Sequence, residues 1–98
     1  MIILTSRDKY DIYFDILIAA GRKYDGSSLT TVIKTASLNA QLAKETVIYL
    51  LETGLLEFNS NDKTLTTTAR GWRFVRLYEN LNQYMLRFRK LSPLQSHS

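Results

Sequence analysis

Three polar side chains, Asn39, Gln41 and Lys44, have types and a spacing that could serve recognition chemistry. A carboxamide donates and accepts hydrogen bonds at the same time, which suits the edges of nucleobases, and a lysine amine can reach guanine or a phosphate. Apolar residues recur at helical spacing from residue 42 to residue 51. The pattern predicts a helix that begins near these three side chains and leaves them on its polar side.

A second group of chemically active side chains, the carboxylates of Asp8, Asp11 and Asp15, also recurs at helical spacing. They could form a metal or acid/base site, but a solvated acidic face explains them as well, and no histidine accompanies them. The chain has no Cys, its one His is His97 near the C-terminal end, and it lacks a phosphate-binding loop motif. We therefore expect no enzyme, and no metal, cofactor or small-molecule ligand.

The elements that would position the polar residues lie in residues 30–56. A short helix is expected to begin at Thr30, whose hydroxyl can cap the first turn. The chain then bends around Leu38, a second helix starts with Asn39 as its cap, and Gly54 ends it in a left-handed conformation. A helix-turn-helix with a half-exposed second helix fits the major groove of DNA, although a corner of two helices also occurs in many small helical domains.

The chain before this motif predicts one more helix. It is expected over residues 5–21, with Thr5 or Ser6 as its cap and Asp8 in its first turn, where a carboxylate favours the helix dipole. This helix is apolar around most of its circumference, so it must be covered on two sides. The helix-turn-helix can cover only one, and the last helix is the candidate for the other.

A β-hairpin is expected directly after the helix-turn-helix. Residues 55–58 alternate into a strand, residues 59–62 form a polar turn, and residues 63–67 return as the second strand. Residues 27–29 could add a minimal strand at the edge. A hairpin in this position distinguishes a winged helix from other pairs of helices.

The last helix is expected over residues 68–91. Trp72 and Val75 are expected to pack on the same domain, and the second half on another copy of the chain. An ordinary amphipathic helix folded back on its own domain is the alternative. A heptad-like seam, which we interpret as a dimer interface, consists of Phe74, Tyr78, Leu81, Met85 and Phe88.

Together these elements predict a mainly α fold with a small β-hairpin, in which a winged helix-turn-helix is followed by a long C-terminal coiled-coil helix. Residues 1–68 would form the winged helix-turn-helix domain, residues 69–91 the dimerisation helix and residues 92–98 a disordered tail. A chain of 98 residues is long enough for one such domain.

The charge is unevenly distributed along the chain. The net charge is +4, and residues 69–98 carry six basic residues against one acidic residue. A basic balance of this kind is compatible with nucleic acid or an anionic membrane surface as a partner, and it is also ordinary for many proteins that have neither. The absence of Cys and of an apolar leader or membrane span leads us to expect a cytoplasmic, nucleoid-associated protein.

Four short motifs along the chain carry a resemblance to a known family. They are Arg7-Asp8, the corner from Thr30 through Ala36-x-Leu38 to Ala40-Gln41-Leu42, the exit Gly54-Leu55, and Thr67/Thr68-x-x-Gly71. With these motifs, and over about residues 5–91, the sequence resembles the small archaeal winged-helix DNA-binding proteins of the ten-kilodalton chromatin class, or a viral or plasmid relative of them. The resemblance implies a homodimer joined through an antiparallel coiled coil, with a winged helix at each end that binds double-stranded DNA.

On this hypothesis the contacts to DNA divide into two sets. Asn39, Gln41 and Lys44 would read base edges, and modest sequence preference is expected from so few candidates. Arg70 and Arg73 lie in the first turns of the last helix, where the dipole disfavours cations, so a phosphate would stabilise them there unless they simply project into water. The other residues expected to touch phosphates are Thr31, Lys34, Asn61 and Lys63.

A second function class remains open, a winged-helix module that binds another protein and no DNA. Lys44 on the second helix of the motif is offset by Glu45 and Glu52, which favours this alternative. A membrane-surface role is disfavoured because Asn80 and Asn82 interrupt the apolar seam of the last helix.

Overall fold

A computed structural model describes residues 8–91 of the chain, and their side chains as far as residue 85. In this part, four helices accompany a two-stranded antiparallel sheet. The observed order confirms the prediction of a mainly helical fold with a small hairpin. The elements are α1 (Lys9–Ala20), α2 (Leu29–Ala36), α3 (Ala40–Glu52), β1 (Leu56–Asn59), β2 (Thr64–Thr67) and α4 (Ala69–Leu91).

The first helix begins later than predicted, because Asp8 is its N-cap. The Asp8 carboxylate accepts a hydrogen bond from the Asp11 amide (2.9 Å), and the Asp11 carboxylate accepts one from the Asp8 amide (3.2 Å). This reciprocal pair satisfies two free amides at the helix start. The prediction that Asp8 lies in the first turn is therefore wrong, while Thr5 and Ser6 lie outside the described residues.

The second helix also starts at a different cap from the predicted one. Ser28 has extended backbone angles, and its hydroxyl accepts a hydrogen bond from the Thr31 amide (3.2 Å). Thr30 lies inside the helix, so the prediction that it is the cap is wrong. Either hydroxyl could form the same bond locally, and the extended backbone at Ser28 decides which one does.

The turn between α2 and α3 and the end of α3 agree with the prediction. Ser37 adopts a left-handed conformation (φ 56°), and Leu38 packs partly buried against the core. Asn39 caps α3 by accepting a hydrogen bond from the Leu42 amide (2.8 Å). Gly54, with φ 80°, leads the chain out of α3 towards β1.

The hairpin after α3 pairs residues 56–59 with residues 64–67, with Leu56 opposite Thr67. Lys63 has a positive φ of 57° and belongs to the turn, so the second strand starts one residue later than predicted. Ser27 forms a single bridge to Leu65 through two hydrogen bonds (3.0 and 2.7 Å). The expected edge strand at residues 27–29 is thus reduced to Ser27, because Leu29 already begins α2.

The core lies where α1 meets the helix-turn-helix, the hairpin and α4. Its largest fully buried side chains are Ile16, Leu17, Val32 and Leu50. The Thr67 hydroxyl donates a hydrogen bond to the Leu17 carbonyl (2.6 Å), which fixes β2 to the last turns of α1. The hairpin is therefore held by the core at its base.

The first half of α4 covers the second side of α1. Tyr78 stacks on Phe14 with ring centroids 4.4 Å apart, its hydroxyl donates a hydrogen bond to the Asp11 carboxylate, and Phe74 lies 6.3 Å from the Tyr13 ring. Phe74 and Tyr78 belong to the predicted dimer seam, but in the structure both contact α1 of the same chain. The reason is that α1 places the rings of Tyr13 and Phe14 next to these two residues.

Two other residues at the start of α4 were expected to pack on the same domain. Val75 is buried, as predicted. Trp72 lies over the end of α1, since a Cβ atom on Gly21 would collide with its indole ring, but 37% of its surface remains exposed.

Replacing Tyr78 by Phe should lower the free energy of unfolding by about 1–2 kcal/mol, because it removes a partly buried bond to a carboxylate and keeps the ring stack. Thermal unfolding followed by circular dichroism measures the change. Tyr24→Phe is the matched control, since Tyr24 is fully exposed and lies outside every proposed contact surface. Equal stability of the two variants would contradict a stabilising role for the bond between Tyr78 and Asp11.

Candidate nucleic-acid interface

The outward face of α3 is exposed. The side of α3 that packs on the core consists of Ala43, Thr46, Val47 and Leu50. The opposite side is exposed and consists of Gln41, Lys44, Glu45, Ile48 and Glu52. The cap Asn39 is exposed at the start of the same helix, so the structure brings the three predicted base-reading residues together at one end of α3.

Two of these three residues already make hydrogen bonds within the chain. The Asn39 side-chain oxygen accepts from the Leu42 amide, and the Gln41 side-chain nitrogen donates to the Glu45 carboxylate (2.8 Å). These bonds orient the side chains before any ligand binds. The Asn39 amino group and the Gln41 carbonyl oxygen take no part in these two bonds.

The charge on α3 is net negative. Lys44 is the one basic residue in this helix, and Glu45 and Glu52 oppose it. A face with this balance does not attract phosphates by itself. Attraction of a polyanion to this side of the molecule would have to come from basic residues on the neighbouring elements.

Such residues are present before and after α3. Lys34 is exposed on α2, and Lys63 is exposed in the hairpin turn. Thr31 is exposed and accepts a hydrogen bond from the Ser28 hydroxyl (3.0 Å), while the Asn61 backbone amide donates to the Asn59 side chain (2.9 Å). The predicted phosphate contacts are thus distributed over α2 and the hairpin turn, one set on each side of α3 in the sequence.

The two arginines at the start of α4 differ in their surroundings. The Arg70 guanidinium donates a hydrogen bond to the Thr53 carbonyl (3.2 Å), beside Gly54. Because helix C-termini carry free carbonyls and partial negative charge, this bond stabilises the end of α3. Sequence reasoning considered only a phosphate or water for Arg70. Arg73 is exposed.

The structure also shows an apolar groove between α3 and the hairpin, which the sequence analysis missed. Ile48 and Phe58 are 55% and 49% exposed at its sides. One feature of the sequence could have indicated the groove, namely Ile48, an apolar residue in the middle of the polar side of α3. The groove has a volume of about 390 Å³ and is lined by Leu29, Lys44, Val47, Ile48, Leu51, Phe58 and Leu65.

On its other side α3 contacts α1 through two stacked tyrosines. The rings of Tyr13 and Tyr49 lie 5.3 Å apart and nearly parallel. Desolvation, followed by the electrostatic effect of the neighbouring Tyr49, raises the pKa of Tyr13 above the ordinary value for tyrosine. The contact helps hold α3 on α1 and adds no charge to this side.

The second half of α4 exposes an apolar stripe. Leu81 and Met85, two residues of the predicted dimer seam, are 59% and 53% exposed. Leu77 and Tyr84 are exposed beside them. The fifth predicted residue, Phe88, lies outside the part of the chain whose side chains are described. Phe74 and Tyr78 pack on α1. The exposed apolar stripe of α4 therefore consists of Leu77, Leu81, Tyr84 and Met85.

The described side chains include no group of three or more His, Cys, Asp or Glu residues that could hold a metal ion. None of the described helices combines the length and the apolar character that crossing a bilayer requires.

Residues 6–86 match the model of the winged helix-turn-helix family. No curated protein matches the sequence significantly. The matched region contains α1, α2, α3, both strands and most of α4. The narrower resemblance to the archaeal ten-kilodalton chromatin class stays a prediction. The chain belongs to the winged helix-turn-helix family, a family of DNA-binding domains.

Proposed function

We propose that the chain is a homodimeric protein that binds double-stranded DNA, as a transcriptional regulator or a chromatin-type architectural protein with modest sequence preference. The observation that carries the proposal is the exposed α3 with a hairpin directly after it, in a chain that belongs to the winged helix-turn-helix family. An exposed second helix of this kind fits the major groove.

The distribution of charge assigns base contacts and phosphate contacts to different elements. α3 carries no net positive charge, so it reads base edges through Asn39, Gln41 and Lys44 and contributes little to overall attraction. Lys34 and Lys63, which precede and follow α3 in the sequence, hold phosphates, with Thr31 and Asn61 as polar contacts. Arg73 extends this set, and Arg70 divides its hydrogen bonds between the Thr53 carbonyl and the backbone of DNA.

The dimer is formed by the distal half of α4. Leu77, Leu81, Tyr84 and Met85 are all more than half exposed, which is unusual for four large apolar residues so close together on one helix. A second copy would remove this stripe from water. Two winged helices in one dimer then bind DNA with higher affinity than one, because the second contact is intramolecular.

Titration of a labelled duplex in about 50 mM salt tests DNA binding directly. The proposal expects saturable binding that weakens steeply as salt is added. A module that binds only another protein, the alternative that the acidic balance of α3 favours, would give no salt-dependent shift. Footprinting on random and on native-promoter DNA then separates an architectural protein, which protects both, from a regulator, which protects one site.

Replacing Leu81 by Asp should convert the dimer to a monomer, because it puts a charge in the middle of the apolar stripe. Sedimentation at micromolar concentration measures the change, and the affinity for DNA should fall by about ten-fold or more as bivalent binding is lost. The matched control is Asn80→Asp, which adds the same charge at an exposed neighbouring position. A wild-type chain that sediments as a monomer would contradict the proposed dimer.

A further inference from the structure

The exposed side of α3 has an aliphatic side chain at its centre. Ile48 follows Gln41 by seven residues and Lys44 by four, so the three share the outward side of the helix. The side chain is 55% exposed, while the core side of α3 is already filled by Val47 and Leu50. Ile48 is therefore not needed to fill the core and is presented to whatever binds α3.

The carboxylates next to Ile48 limit what that ligand can be. Glu45 and Glu52 lie on the same exposed side and repel phosphates, so α3 has to meet bases rather than the sugar-phosphate backbone. In the major groove, thymine alone among the four bases presents an aliphatic group, its 5-methyl. The Gln41 carbonyl oxygen is free to accept from the amino group of adenine in such a base pair.

We propose that Ile48 recognises thymine methyl groups, which gives the protein a preference for A·T pairs read in the major groove. The inference rests on the proposed binding of duplex DNA and names the base that α3 selects. It differs from a preference based on groove width, because it depends on one methyl group per contact.

The groove beside Ile48 supports this inference. Ile48 forms one side of an apolar surface that continues to Leu51 and Phe58, and the single charged side chain in its lining is Lys44. A methyl group placed against Ile48 would therefore meet apolar atoms and no competing hydrogen-bond partner. Burial of one methyl group corresponds to about a four-fold change in affinity.

Replacement of thymidine by deoxyuridine in a duplex tests the inference, since the exchange removes the methyl group and keeps the base pairing. Two duplexes of about 20 base pairs, or two helical turns, with the same A·T-rich sequence are titrated, one with thymine and one with deoxyuridine. The wild-type protein should bind the thymine duplex about four-fold more tightly for each methyl contact. For Ile48→Ala the ratio of the two dissociation constants should fall to about one.

The comparison of ratios removes the effect of deoxyuridine on DNA itself, because both proteins meet the same two duplexes. Tyr24→Ala is the control, since it removes a fully exposed apolar side chain outside α3 and should keep the wild-type ratio. Equal binding of both duplexes by the wild-type protein would overturn the role of Ile48 and leave DNA binding intact. Absence of binding to either duplex would instead overturn the proposed function itself.

Discussion

Replacement of Lys34, Lys63 and Arg73 together by Gln should cause the largest loss of DNA affinity that the described surface offers without loss of the fold. All three side chains are exposed, so their removal leaves the core unchanged. Each basic side chain that neutralises a phosphate makes the plot of log affinity against log salt concentration steeper by about 0.9. With three basic side chains removed from each protomer of a dimer, the slope should become less steep by roughly five.

Fluorescence anisotropy of a labelled duplex over a series of salt concentrations measures this slope. The wild-type dimer, with six to ten phosphate contacts, should lose about 10³–10⁵ in affinity between 50 and 200 mM salt. The triple variant should bind more weakly at low salt and depend much less on salt. A wild-type slope near zero would contradict the proposed phosphate contacts.

A second triple variant with the same change in net charge is the control. It replaces three exposed basic side chains outside the predicted contact set by Gln, namely Lys9, Arg22 and Lys23. This change should leave most of the salt dependence intact. Equal flattening in both variants would mean that binding depends on total charge alone. The assignment of contacts to α2, the hairpin turn and α4 would then be wrong.

Gly71→Ala should lower the free energy of unfolding by about 1–3 kcal/mol, the usual range for forced overpacking. A Cβ atom at this position would collide with the Leu55 carbonyl oxygen and lie 2.7 Å from the Thr67 side chain. The Leu55 carbonyl cannot move aside easily, because it accepts a hydrogen bond from the Thr68 amide (3.1 Å). The start of α4 would have to shift away from the hairpin.

The sign of this change makes the measurement informative. In an exposed helix interior, Gly→Ala stabilises by about 1 kcal/mol, because alanine has the higher helix propensity. Asn80→Ala, at an exposed position of α4, is the control and should be neutral or slightly stabilising. Thermal unfolding should show the Gly71→Ala midpoint lower by about 4–8 °C per kcal/mol for a domain of this size. An unchanged or raised midpoint would contradict close packing at Gly71.

Local patterns predicted the type and order of the elements well. The periodicity of α3, its cap Asn39 and its exit at Gly54 all follow from interactions within a few residues, which the sequence displays directly. The caps of α1 and α2 were misplaced by two or three residues. Several neighbouring residues there could cap equally well, and the backbone conformation set by the rest of the fold selects among them.

The residues of the candidate interface were predicted less completely. Sequence reasoning found the polar side chains at the start of α3, because their chemistry is evident from residue type. It missed the groove beside Ile48 and Phe58, which arises only when α3 and the hairpin pack together. It also missed the bond from Arg70 to the Thr53 carbonyl, whose partners are 17 residues apart.

Periodicity, caps and turn residues act over short distances, and in this sequence they specify a helix-turn-helix followed by a hairpin and a long helix. Which surface each apolar residue packs against depends on how these elements are arranged in space. Phe74 and Tyr78 match a heptad seam as well as Leu81 does, yet they pack on α1, while Leu81 remains exposed. The spacing of apolar residues defines a helix face, but the elements that meet that face in space determine what covers it.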